Sequence, residues 1–182
     1  AVAVNDETLM EHYLDKGELD EDEMKTGLKK SLINHDLFPV FCTSAVRDMG
    51  SGRIMGFIDN VCPSANEMPH QVTKAGEDLP CDANGPACIF IYKTVSEPHV
   101  GELSFFKVYS GTIKSGMELE NETTGVSEKI NQLFLVEGNK RVPVNELVAG
   151  DIGATLKLKN THTNNTLHIR GKNYELKPIE YP

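Results

Sequence analysis

The stretch GELSFFKVYSGTIKSGMEL, Gly101 to Leu119, sets the fold class of the larger part of this chain. Successive side chains of a strand point to opposite faces, so Phe105 and Phe106 look in opposite directions. One is expected to fill an interior and the other to pack against a neighbouring domain. Gly111 and Gly116 bracket a short turn, where a left-handed backbone costs a side-chain-bearing residue about 1–2 kcal/mol. The stretch therefore reads as strand, turn, strand. The same period of two recurs in PACIFIYKTV, MELEN, EKINQLFLV, DIGATLKL and, more weakly, TLHI and YELKPIE, punctuated by Gly125, Gly138, Gly150 and Gly171. Short strands at this spacing predict an antiparallel Greek-key-type β-barrel over residues 86–182, closed or sandwich-like so that sheet edges are not left open. Ile130, Leu133, Leu135, Ile152 and Leu156 are expected to help fill it.

Working backward, residues 65–85 are rich in proline, glycine and polar side chains without a sustained period, and read as a linker. Residues 1–64 read as a helical, mixed α/β unit, so the chain as a whole is mixed α and β. Leu9, Met10, Tyr13 and Leu14 share a helical face, with Asn5 as the expected cap and Gly17 as the stop. Asp20 and Glu23 stand near capping-box spacing ahead of a stripe of Met24, Leu28 and Leu32. LFPVFC, ending at Cys42, reads as a short strand with Pro39 early in it. A third helix is expected after Gly50, capped by Ser51, with Ile54, Phe57, Ile58 and Val61 as a buried stripe. Between strand and helix lies PVFCTSAVRDMG, residues 39–50, which has the pattern of a strand delivering a loop to a ligand.

Composition and charge narrow the function classes. The chain has 182 residues, 39% of them hydrophobic, and a formal charge of −9. The excess acidity is confined to the first half: residues 1–30 carry nine acids against four bases, and residues 85–182 carry eleven of each. A neutral β half argues against strong autonomous nucleic-acid affinity, which grows with phosphate neutralisation, and no DNA partner is expected. No apolar run approaches the roughly 20 residues of a membrane span, and the acidic start lacks a secretory basic region, so a soluble, cytoplasmic protein is expected without a membrane partner. Cys42, Cys62, Cys81 and Cys88 form no C-x-x-C pair and read as reduced structural thiols, with Cys42 packed on its strand. His162 and His168 lie close in sequence but have no third ligand, so no metal site is assigned.

Two stretches of the β half carry a family resemblance. KVYSG, Lys107 to Gly111, followed by Ala149, Gly150, Asp151 and Ile152, resembles the second domain of translational GTPases, most closely elongation factor G. Arginine is common in the family where Lys107 stands, and a planar guanidinium contact is lost with it. Glu97, Pro98 and His99 also depart from the usual pattern.

The resemblance extends backward. PVFCTSAVRDMG resembles the last guanine-nucleotide motif, and the acidic helices resemble the helical insertion of that family's GTPase domain, so the first 64 residues would be a remnant of such a domain. The resemblance implies that Thr43, Ser44 and Ala45 form a guanine-base loop in an intact parent, the Ala45 N–H available to the base O6. It further implies a parent that binds GTP or GDP with magnesium, and partners in the ribosome's small-subunit RNA and protein and in the rest of the same GTPase domain. Lys107, Lys114, Lys140 and Arg141 are the candidate ribosome contacts.

The chain itself has no G-x-x-x-x-G-K-[ST] phosphate loop, and neither GNKR nor DANG completes a nucleotide motif in a suitable context. No cofactor and no catalytic residue are therefore expected of this chain alone; the parent is expected to be a GTPase driving ribosomal translocation. Related readings are a ribosomal-protection or release-stimulating GTPase. From the residues alone, a free-standing protein-interaction barrel or a thiol hydrolase built on Cys42 remain open.

Overall fold

The computed structural model describes residues 2–97 and 101–180. Pro98 and His99 thus lie outside the described residues. Contacts divide the chain into two units, one up to Pro69 and the other from His70 onward. No helix among the described residues is long and apolar enough to cross a membrane.

The first unit holds three helices: α1 (Glu7–Lys16), α2 (Glu21–Ile33) and α3 (Ser51–Val61). Asp6, one residue after Asn5, caps α1, its Oδ1 accepting from the Thr8 and Leu9 amides at 3.0 and 3.3 Å. Gly17 ends that helix at φ 80. The box at the start of α2 is complete: the Glu23 amide donates to Asp20 Oδ1 at 2.8 Å and the Asp20 amide to Glu23 Oε2 at 2.9 Å. Gly27 in α2 is buried, and a Cβ there would lie 2.5 Å from Val2 and 2.6 Å from Leu9 side-chain carbons, so the absence of a side chain lets the amino-terminal turn and α1 close on α2.

Four expectations for this unit are corrected. Residues 37–42 form no strand, because an extended segment needs a neighbour to complete its ladder and none pairs with it among the described residues. Cys42 is consequently exposed, not packed. Gly50, at φ 87, takes the cap position of α3, and Ser51 is the first helical residue. Of the stripe on α3, Val61 alone is buried; Ile58 is exposed, and Phe57 finds partial cover by stacking edge-on against Phe41 at 5.0 Å.

The second unit is all β: β1 (Gln71–Val72), β2 (Asp78–Leu79), β3 (Cys88–Glu97), β4 (Gly101–Ser110), β5 (Thr112–Lys114), β6 (Glu118–Asn121), β7 (Val126–Lys129), β8 (Leu133–Glu137), β9 (Lys140–Val144), β10 (Glu146–Val148), β11 (Ile152–Leu156) and β12 (Thr166–His168). Eight of these form one antiparallel sheet in the order β7-β6-β12-β3-β4-β11-β8-β9, and β5 pairs with β10 in a separate ribbon. β12 returns over a long connection to sit between β6 and β3, a Greek-key crossing. The ladder is not closed into a cylinder, since β7 and β9 are edges.

One core nevertheless draws on nearly the whole sheet and on the ribbon: Ile89, Phe106, Ile113, Leu119, Leu133, Leu147 and Leu167 meet in it. Bonds outside the ladder help the curl, with the Gly116 amide donating to Ile130 O at 2.6 Å and the Ile130 amide to Met117 O at 2.8 Å. Phe106 is the inward member of the phenylalanine pair, and Phe105 lies outward against Tyr92. Ile130 and Leu133 fill the core as expected. Leu135 and Ile152 are on the exposed side, and Leu156 is half-buried, because the inward phase at these strands is carried by Leu133, Ala154 and Leu158.

The stretch read as linker is partly organised. The β1–β2 hairpin brings Leu79 into full burial within a second apolar cluster with Cys88, Phe90, Tyr174 and Leu176. The Lys74 amide donates to Glu175 O at 2.7 Å, so segments about a hundred residues apart in sequence are tied together.

Candidate functional site

The loop after residue 42 is a compact structure built by its own backbone. The Ser44 amide donates to Met49 O at 2.9 Å and the Met49 amide to Ser44 O at 3.0 Å, closing a bridge around the short 3-10 turn Ala45–Arg47. Asp48 ends the turn in the left-handed region at φ 49. Gly50 must lack a side chain: a Cβ there would meet Thr43 Cγ2 at 3.0 Å and Cys42 O at 3.1 Å, on a backbone at φ 87.

Ala45 opens the turn, and the first amides of such a turn have no carbonyl partner inside it. Ser44, in the cap position, gives no side-chain bond to these amides. Thr43, Ser44 and Ala45 are therefore together on one largely exposed loop with small side chains. Phe38, Val40 and Val46 on the same segment are exposed, at 75%, 89% and 100%.

The four basic residues do not converge. Lys107 lies on β4, its Nζ 5.1 Å above the Tyr109 ring centre. Lys114 lies on β5 of the separate ribbon and is 3.7 Å from Glu146 Oε2. Lys140 and Arg141 are consecutive on the edge strand β9, opposite Glu137 and Val136 of β8. They occupy three separate strands, so no single basic stripe forms.

Two buried anchors escaped the sequence-based reading. His168 is fully buried on β12; its Nε2 is 2.7 Å from Glu122 Oε2 and its Nδ1 is 3.0 Å from Ile169 O. Glu128 is buried on β7 and accepts from the Lys159 and Asn160 amides and the Thr161 hydroxyl. Each ties a loop to the sheet. The sequence signal for both was weak, a titratable residue inside a short strand, and the partners Glu122 of His168 and Lys159, Asn160 and Thr161 of Glu128 lie more than thirty residues away. No cluster of three or more metal-ligating side chains occurs among the described residues.

The curled antiparallel sheet, its Gly111 turn and the Ala149–Ile152 step form one β unit, and residues 86–169 of it match the family model for elongation factor G domain 2. Over that unit the chain is similar to elongation factor G domain 2. The whole chain also superposes on a crystal structure of a Thermus thermophilus protein with TM-score 0.75 at 22% identity, covering 100% of this chain and 26% of that one. The same fold therefore extends across both units, and the chain spans about a quarter of its structural relative.

Proposed function

We propose that this chain is a working part of an elongation factor G-like translational GTPase, whose parent couples GTP hydrolysis to movement of transfer and messenger RNA through the ribosome in the cytoplasm. The observation that carries this reading is the family match over residues 86–169, joined to a fold likeness over the entire chain. In the parent, Thr43, Ser44 and Ala45 read the guanine base, and GTP, GDP and magnesium are held by residues outside this chain. The exposed apolar side chains Phe38, Val40 and Val46 are covered by the rest of the GTPase domain. The chain contributes no catalytic group. Its β unit docks on the GTPase domain and on the small ribosomal subunit, with Lys107, Lys114, Lys140 and Arg141 as the cations that approach ribosomal RNA.

The test is co-sedimentation of the chain with small ribosomal subunits. Retention is expected at low ionic strength, falling as salt rises because phosphate contacts release counterions. A variant with Lys114, Lys140 and Arg141 changed to alanine is expected to be retained less. Absence of retention at tens of micromolar chain in low salt, or retention indifferent to both salt and these substitutions, would falsify the docking assignment.

A further inference from the structure

The outward face of the large sheet carries a groove that neither the family match nor the docking reading explains. Its floor is a row running across strands: Ile152 on β11 pairs with Lys107 on β4, and Lys107 pairs with Phe90 on β3. Tyr92 and Tyr109 extend this row into an aromatic wall, Phe90 meeting Tyr109 edge-on at 6.5 Å. Tyr92 is the extra residue at a bulge between Ile91 and Lys93.

The opposite wall is the carboxyl-terminal segment, held by side chains rather than by a ladder. The Leu176 amide donates to the buried Thr166 Oγ1 at 3.0 Å, the Ile179 amide to Asn164 Oδ1 at 2.9 Å, and Lys74 Nζ to Glu175 Oε1 at 2.6 Å. The open groove has a volume of about 470 Å³. That falls in the range of small-molecule sites, which pair apolar walls with a few placed polar groups.

The charge on the groove has one sign. Lys107 and Lys177 line it, no carboxylate does, and neither lysine has an ion-pair partner among the described residues. Burial pushes the hydroxyls of Tyr92 and Tyr109 up from their ordinary value, so they add no negative charge near neutral pH. Meanwhile Ile152 is 56% exposed on a strand whose other side is core, so apolar surface is left open where the cations are. Aromatic walls accept a flat ring, and unpaired lysines accept an anion.

We propose that this groove binds the base and phosphate of a nucleotide, either free or as one unit of a single RNA strand, with the ring against the Phe90, Tyr92 and Tyr109 wall and the phosphate held by Lys107 and Lys177. The shared chemistry is a planar ring carrying an anion. The assignment is independent of the guanine loop; it shares Lys107 with the ribosome-docking reading, and Lys177 and the aromatic wall belong to the groove alone.

The experiment follows backbone amide signals of the full chain by NMR during titration with adenosine monophosphate, with adenosine and inorganic phosphate as separate titrants. Saturable shifts are expected at Tyr92, Lys107, Tyr109 and Lys177, with each half-ligand binding more weakly than the whole. Lys177→Glu, at an exposed position, is expected to weaken binding by about tenfold or more, as loss of a charge-assisted contact does, whereas Lys129→Glu, exposed on the edge strand β7, leaves it unchanged. Lys107→Met serves as the second variant, and a dispersed spectrum shows that each variant is folded.

A short oligoadenylate separates the two sources. Affinity about tenfold above the mononucleotide assigns an RNA strand, and equal affinity assigns a free nucleotide. The proposal falls if no saturable shift reaches these residues, if inorganic phosphate alone reproduces the shifts and affinity, or if both lysine variants bind as the parent chain does.

Discussion

Gly111 shows how a single residue fixes the β unit. Its φ of 76 is left-handed, and a Cβ on it would lie 2.5 Å from Ala87 Cα and 2.6 Å from Ala87 N, both backbone atoms that cannot rotate away. The same residue accepts from the Ala149 amide at 2.9 Å and donates to Asp82 O at 2.8 Å, so displacement breaks two bonds as well. Gly125 offers the control: its φ is 68, but nothing lies within 4 Å of its absent Cβ. Gly125→Ala is expected to cost about 1–2 kcal/mol from the backbone conformation alone. Gly111→Ala is expected to cost several kcal/mol, about 2 more than the control, because clash and lost bonds add to strain. Urea unfolding of both variants measures the difference; equal costs would mean that the close approach to Ala87 is not felt. The need for glycine here was legible from the turn spacing in the sequence. What lies against it was not, because the Ala87 backbone comes from another strand's entry and leaves no local mark.

The four thiols separate at the same scale. Cys88 is fully buried and burial pushes its thiol up to about 12, while Cys42 is exposed. Native chain treated with iodoacetamide near neutral pH is expected to be alkylated at Cys42 and to leave Cys88 intact until denaturant is added. Early labelling of Cys88 would contradict its burial. The expectation of a packed Cys42 failed for a physical reason: apolar neighbours in LFPVFC predict a strand, but whether a strand exists depends on a partner supplied from elsewhere.

Among elements, the helices were the most legible because their caps are local. Asp20 and Glu23 satisfy each other's amides within one turn, and Asp20→Ala is expected to lower helix stability by about 1 kcal/mol, measurable as a reduced melting temperature. A second tie in this unit depends on pH. Lys29 donates to Glu67 at 2.9 Å, and this bond, together with the Ser64 amide, lowers the Glu67 carboxyl from 4.5 to about 2. A depressed carboxyl stabilises the folded form above its ordinary pKa, and that contribution is lost as pH falls from about 4.5 through about 2.

Carboxyl chemical shifts followed against pH are expected to show Glu67 titrating well below the ordinary glutamate value of 4.5. With Lys29→Met its midpoint should rise, and an unchanged midpoint would remove Lys29 as the main cause. Strands were legible as elements but not as a sheet. β3 and β4 follow the alternation read from GELSFFKVYSG, whereas the insertion of β12 between β6 and β3 joins segments 40 or more residues apart, and no local pattern encodes which edges meet.

At the scale of the whole molecule, the candidate guanine loop and the β unit belong to separately packed parts. The loop's small side chains were legible. The groove was legible only in part, since alternation places Phe90, Lys107 and Tyr109 outward, while Leu176 and Lys177 reach it from the far end of the chain. These parts have unequal binding strength toward guanine nucleotides. A single hydrogen bond from the Ala45 amide would contribute about 0.5–1.5 kcal/mol net, whereas micromolar affinity requires about 8 kcal/mol. No phosphate loop in the sequence adds to it. Calorimetry of the chain with GTP and GDP is therefore expected to show no micromolar binding, and Ala45→Pro, which removes the amide, is expected to change nothing measurable in that range. Weaker binding that moves the Lys107 and Lys177 amide signals belongs to the groove; weaker binding that moves Ser44 and Ala45 belongs to the loop. Micromolar affinity for GTP that survives loss of both lysines would mean that residues 39–50 hold far more of a nucleotide site than one donor and three small side chains can supply.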